Sequence, residues 1–106
     1  YVPISIYPRF DFLILATNQI VNHLDKLNYL YREGNERKVI IRTAVGNKKP
    51  LDAGPQHTQN HTEAFKLMCP NIKVIEITQP ENILDTYKAA YNDNDSYLVV
   101  ENWNNE

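Results

Sequence analysis

Short runs of β-branched residues alternate along this chain with longer stretches of helical periodicity, and that alternation restricts the fold more than any other feature. Lys38-Val-Ile-Ile-Arg-Thr43, Ile72-Lys-Val-Ile-Glu-Ile77 and Tyr97-Leu-Val-Val-Glu101 read as strands bounded by turn residues. Tyr1-Val-Pro-Ile-Ser-Ile-Tyr7 alternates in the same way and reads as a fourth. Between the first two strands, Leu13, Ala16, Ile20, Leu24, Leu27 and Tyr31 recur at spacings of three and four. They give one apolar face to a helix over residues 11–32, with Gly34 as its left-handed stop. A second helix is expected to begin at Asn60, capped by its side chain with Glu63 reaching back, and to end at Pro70. A third begins at Thr78, carries Pro80 in its first turn, and buries Ile83, Tyr87 and Ala90. The order strand–helix–strand–helix–strand–helix–strand predicts an α/β fold: a parallel sheet, right-handed crossovers and helices on both faces.

The one long irregular segment, residues 44–59, holds Gly46, Pro50, Gly54 and Pro55. It follows a strand and precedes a helix, so it lies at the carboxyl edge of the sheet, where open α/β proteins bind ligands. Composition narrows the classes of partner. With 11 Lys+Arg against 13 Asp+Glu and a net charge of −2, there is no electrostatic case for nucleic acid or an anionic membrane surface. The longest apolar run, Phe12 to Ala16, is too short to span a bilayer, and no secretory signal opens the sequence. A single cysteine, Cys69, rules out an intrachain disulfide framework and fits a reducing compartment. The sequons at Asn60 and Asn94 are read as chance in a chain rich in Asn.

Within the loop, His57 is the sharpest candidate. It stands in Gly54-Pro-Gln-His-Thr-Gln59 just before a helix, where a histidine can face a ligand and exchange protons near neutral pH. The bland alternative is an exposed or locally hydrogen-bonded side chain, and the residues alone leave the choice open. His57 and His61 have metal-ligand spacing but no further ligand at a credible position. Cys69, between Met68 and Pro70 at a helix end, reads as a packing residue rather than a nucleophile. The turn Asn92-Asp-Asn-Asp95 could cage a hard cation or could simply be an Asx-rich turn. Phe10 and Phe12 flank Asp11 near the same edge and are either core or a ligand stack. No glycine-rich dinucleotide or P-loop motif is present.

Several stretches, in order, resemble the pyrimidine-binding, transketolase-like domain of the β subunit of thiamine-diphosphate-dependent 2-oxo acid dehydrogenases. They are Pro3-Ile4 leading to Phe10-Asp-Phe12, Asn18-Gln-Ile-Val-Asn22, Ile41-Arg-Thr43, Gln56-His-Thr-Gln59, Cys69-Pro-Asn-Ile-Lys-Val74, Lys88-Ala-Ala and Val99-Val-Glu-Asn102. The resemblance implies one domain over residues 1–106, the C-terminal half of that pyrimidine-binding domain, with a truncated start. It implies thiamine diphosphate with Mg2+, bound jointly with an α-type partner subunit that carries the diphosphate site, and a 2-oxo acid substrate. A homodimer of β-type subunits in the cytoplasm or an organelle matrix also follows from it. In the family a carboxylic acid against the aminopyrimidine ring activates the cofactor, which then serves as an electron sink for decarboxylation. By this resemblance Phe12 packs against the aminopyrimidine, and His57 handles charge or protons during acyl transfer. The family's structural potassium site maps onto Val39, Ala90, Tyr91, Asp93 and Asp95.

The sequence departs from the family in places. The activating glutamate falls upstream of these residues, so the isolated chain is expected to be inert. Ile6 stands where an acid is usual and Asn18 where Asp is common, and residues 44–53 lack the family's glycine-rich pattern, which leaves the substrate open. A transketolase or deoxyxylulose-phosphate-synthase relative, or a non-catalytic interaction module of the same fold, are the alternative readings.

Overall fold

The computed structural model describes residues 1–30, 37–46 and 48–104. Four strands, β1 (Ile4–Tyr7), β2 (Ile40–Val45), β3 (Lys73–Ile77) and β4 (Tyr97–Asn102), form one sheet in the order β1-β2-β4-β3. Every neighbouring pair is parallel. β4 is central and buried from Tyr97 to Glu101, as expected of a strand covered on both faces. β1 and β3 are the edges.

Alternation along the strands divides the core into two halves. Ile41, Val45, Val74, Leu98 and Val100 face one way and pack with Phe10, Leu13, Ile20, Phe65 and Cys69. Ile40, Ile77, Tyr97 and Val99 face the other way and pack with Ala90, Ile83 and Tyr87. The first half is covered by a helical run over residues 10–30 and by α3 (Thr62–Met68), the second by α4 (Ile83–Asn92). The fold is therefore the parallel α/β arrangement that the alternation predicts, with helices on both faces.

The helical run differs from the single helix expected there. It opens with α1 (Phe10–Leu13), continues through a 3-10 turn (Ile14–Ala16), a π turn (Gln19–His23) and a second 3-10 turn (Leu24–Lys26), and resumes as α2 (Leu27–Leu30). One cause is visible, and one consequence. Thr17 Oγ1 donates to Ile14 O at 2.6 Å and competes for a carbonyl the helix would use. The π turn then brings residue i+5 beneath residue i, so Asp25, five positions after the buried Ile20, follows it onto the inner face. Asp25 is only 2% exposed. Its carboxylate accepts the Asn71 amide N–H at 2.8 Å and the Lys26 ammonium at 2.6 Å, and so ties the run to the segment leading into β3. The expected helix end near Tyr31 and Gly34 lies outside the described residues.

The other boundaries shift by a residue or two. β2 runs to Val45, which shortens the expected loop and leaves Lys38 ahead of the strand. α3 starts two residues later than expected, at Thr62, and its N-cap position, His61, carries no side-chain cap. Asn60 Oδ1 does accept an amide there, that of Thr62 at 3.0 Å, together with the Thr62 hydroxyl at 2.6 Å. Glu63 does not reach back, and instead accepts from Lys66 one turn on, at 3.2 Å. Pro80–Asn82 form a 3-10 turn that leads into α4, whose entry carries no side-chain cap, contrary to the role expected of Thr78.

Candidate functional site at the carboxyl edge of the sheet

The chain leaves β1 at Tyr7 and turns at once into α1, which sets Arg9, Asp11 and Phe12 on the rim where the strands end. The loop after β2 returns across the same rim. Gly54 has φ of 84°, a conformation that side chains with a Cβ seldom adopt. Its N–H donates to Asp52 Oδ1 at 2.9 Å, and its carbonyl accepts the His57 amide at 3.1 Å and the Thr58 hydroxyl at 3.0 Å. The resulting tight turn presents His57 at the edge.

Three polar links hold the loop down. Arg9 Nη1 donates to His57 O at 3.3 Å. The guanidinium lies so close to Gly46 that a Cβ there would stand 1.5 Å from Nη1, so glycine at this position keeps the arginine's path open. Asp11 accepts from Gln59 Nε2 at 2.9 Å and lies 3.0 Å from His61 Nε2, whose ring meets Phe10 edge-on at 5.3 Å. Glu76 Oε1, near the end of β3, accepts from Asn60 Nδ2 at 2.7 Å and from Asn102 Nδ2 at 2.9 Å. With its backbone fixed, the His57 ring is left to Phe12, the two centroids 5.6 Å apart and the planes tilted by 55°. Phe12 is 46% exposed, while Phe10, two residues earlier, is fully buried. Of the two aromatics in Phe10-Asp-Phe12, one is core and the other faces outward.

A second polar group lies under the same edge. Glu101, 2% exposed, accepts from Arg42 on β2 and from Tyr87 Oη on α4, the latter at 2.7 Å. Burial disfavours its charged form, but the hydrogen bonds from Arg42 and Tyr87 outweigh that cost and hold the carboxyl below its ordinary pKa. Burial and the same carboxylate push the Tyr87 phenol up. Arg42, Glu101, Ile6, Tyr7, Pro8 and Trp103 line a shallow cleft of about 270 Å³.

The structure thus brings His57 and Phe12 together. It sends His57 and His61 to different partners, and among the described residues no group of three or more His, Cys, Asp or Glu is arranged to hold a metal ion. Cys69 is buried, and burial beside the Asp25 carboxylate pushes its thiol up to about 11, so it packs as a neutral side chain. The five residues assigned to a potassium site lie at the opposite, amino end of the sheet. There the Ala90, Tyr91 and Asp93 carbonyls accept from Lys38 Nζ, while Val39 O accepts the Tyr97 amide at 3.1 Å. The Asp93 carboxylate binds Lys73 and Tyr97 Oη, and Asp95 Oδ2 is 3.5 Å from Lys73 Nζ. Arg9, Asp11, Gly46 and Lys38 were missed as site residues. The signal for the first two was a pair of opposite charges directly after an edge strand, and for Gly46 a glycine directly after the end of a central one.

Comparison with known proteins bears on what such an edge serves. No protein-family model matches the chain. A pyruvate dehydrogenase E1 component subunit beta of Gracilaria tenuistipitata var. liui is 30% identical over 93 residues, 88% of this chain and 28% of that protein. The acetoin:2,6-dichlorophenolindophenol oxidoreductase subunit beta of Cupriavidus necator is 30% identical over 102 residues, 96% of this chain and 29% of its own length. The chain is homologous to one stretch of these β subunits. The mitochondrial pyruvate dehydrogenase E1 component subunit beta of Bos taurus extends the set, at 29% identity over 94% of the chain. This β-subunit homologue spans 27–29% of the length of the relatives named here. Among its described residues no helix is long and apolar enough to cross a membrane.

Proposed function

We propose that this chain supplies the aminopyrimidine-binding edge of a thiamine-diphosphate-dependent 2-oxo acid dehydrogenase, as part of a β-type subunit working with an α-type partner that holds the diphosphate through Mg2+. One observation carries the reading. Phe12 and His57, the two residues that the family resemblance singles out, meet at the carboxyl edge of the parallel sheet, with Phe12 turned outward and the His57 backbone pinned by Arg9. An outward aromatic face suits a flat heteroaromatic ring, since offset or tilted ring pairs are favoured by about 0.5–1.5 kcal/mol beyond area burial. The residues present therefore fit the pyrimidine half of the cofactor. When bound, the cofactor supplies the electron sink for decarboxylation.

The chain's own contributions are positional. Phe12 gives the ring a wall. His57 stands beside that wall with its ring out of any hydrogen bond to the described residues, so an incoming 2-oxo acid or acyl group can use it as a proton donor or acceptor. Asp11, held by Gln59 and His61, keeps α1 and the loop in register so that the two rings stay paired.

The test is made on the complete β-type protein assembled with its α-type partner. Cofactor affinity is titrated with thiamine diphosphate and Mg2+, and turnover is read as 2-oxo-acid-dependent reduction of an artificial electron acceptor. Phe12→Ala is expected to weaken cofactor affinity about tenfold, the loss of one aromatic contact. His57→Gln is expected to leave affinity unchanged and to lower turnover by about 100-fold or more. Unchanged cofactor affinity in the Phe12 variant would overturn the placement of the ring.

A further inference from the structure

The last carbonyls of a helix have no intrahelical donor and carry its partial negative charge. Two acceptors of this kind in the last turn of α4, the carbonyl oxygens of Ala90 and Tyr91, and the carbonyl of Asp93, the residue that ends the helix, converge on a single group, the Lys38 ammonium, which lies 3.0 Å from Ala90 O. An ammonium has three N–H donors, and these three oxygens use all of them. The Asn94 amide, the next donor along the chain, is diverted to Asp93 Oδ1 at 2.7 Å and leaves the cage to the lysine. The Tyr91 ring stands 5.7 Å from Nζ and adds its face to the surroundings of the charge.

The other oxygens that a cation here would need are engaged elsewhere. Val39 O is taken by the Tyr97 amide, the Asp93 carboxylate by Lys73 and Tyr97 Oη, and the Asp95 carboxylate lies against Lys73. Potassium, implied at these positions by the family resemblance, does not fit: its carbonyl cage already holds a monovalent cation of comparable size. That cation is covalently part of the chain and comes from a position 52 residues before Ala90.

We propose that Lys38 is a tethered monovalent cation that closes the carboxyl end of α4 against the start of β2, so that this protein is indifferent to potassium. Removal of the side chain then opens a site for potassium or ammonium ions. The proposal concerns the amino end of the sheet alone and stands or falls separately from the reading of the carboxyl edge.

The experiment is thermal unfolding of the full chain in KCl, NH4Cl, NaCl and choline chloride at equal ionic strength, for the parent protein, Lys38→Ala and Lys38→Met. The parent is expected to unfold at the same temperature in all four salts. Lys38→Ala is expected to lose on the order of 5 °C in choline chloride. It should recover part of that loss, saturably, in KCl or NH4Cl. Lys38→Met keeps the stem in the cage without the charge, and is expected to lose stability without salt-specific recovery. A parent midpoint that rises saturably with K+ over choline would overturn the proposal, and needs no variant to fold. An alanine variant equally depressed in all four salts, or as stable as the parent in choline chloride, would overturn it too.

Discussion

The two ends of the sheet are built on opposite plans. At the amino end, charges satisfy one another: Lys38 fills the carbonyls of α4, Lys73 and Tyr97 take the Asp93 carboxylate, and Asp25 holds the Asn71 amide. Lys73 and Tyr97 hold the Asp93 carboxyl far below the usual range, and that carboxylate in turn raises the Lys73 ammonium. At the carboxyl end, the polar links run from strand ends and α1 to the loop and serve to position it, leaving Phe12 outward and His57 beside it. An end whose donors and acceptors are consumed internally contributes order to the fold. An end whose polar links fix a backbone while its rings face outward has capacity left for a ligand. The division follows from parallel topology, in which all strands deliver their following loops to one edge.

The contrast breaks most visibly at Asp25. Asp25→Ala removes the buried carboxylate that accepts the Asn71 amide and the Lys26 ammonium and so ties the helical run to the entry of β3, and is expected to cost roughly 2–4 kcal/mol in denaturant unfolding. If the ends divide as described, the same variant should leave cofactor affinity in the assembled protein unchanged. A parallel loss of affinity and stability would merge the two ends into one unit.

A smaller effect is expected with pH, and it draws on both ends. The Glu101 and Asp93 carboxyls are both held below their ordinary values, Glu101 below 4.5, so each contributes stability that is full above that value. The contribution drains away as pH falls through the lowered pKa. Acid unfolding followed by circular dichroism should therefore steepen below about pH 4.5. Glu101→Gln should flatten part of that slope while costing about 1–2 kcal/mol at neutral pH, through weaker bonds to Arg42 and Tyr87. An unchanged acid slope in the variant would show that Glu101 is not held below its ordinary value.

The smallest effect on stability isolates the carboxyl end. Gly46→Ala pushes the Arg9 guanidinium off His57 O, because the new methyl occupies its path. The arginine tip is flexible, so the expected cost is only about 1 kcal/mol. The His57 loop loses its tether, and turnover should fall more than stability does. Equal stability and equal turnover would mean that Arg9 does not position the loop.

How much of this is legible in the sequence depends on the distance over which each feature is decided. The strands around Ile40, Val74 and Val99 are set by local β-branched runs, and the parallel sheet follows from their spacing. The Asn60–Thr62 turn into α3 is equally local. The burial of Asp25 is not, because it depends on a π turn that advances the helical face by one residue, and periodicity counting assumes a uniform helix. Lys38 read as the first residue of a strand. Its partners at the end of α4 and on Asp93 just beyond it are more than 50 residues away, and only the folded chain brings them together. At the site, the residues alone pointed to His57 and only the family resemblance to Phe12, while the links that fix their pairing, Arg9 over Gly46 and Asp11 to Gln59, cross between the start of α1 and the loop.

Amide hydrogen exchange on the complete β-type protein with its α-type partner, with and without thiamine diphosphate and Mg2+, tests the division of the two ends most directly. The account predicts that cofactor slows exchange at residues 9–12 and 54–61 and leaves residues 90–97 unchanged. Protection confined to residues 90–97, or none at the Phe12–His57 edge, would contradict it.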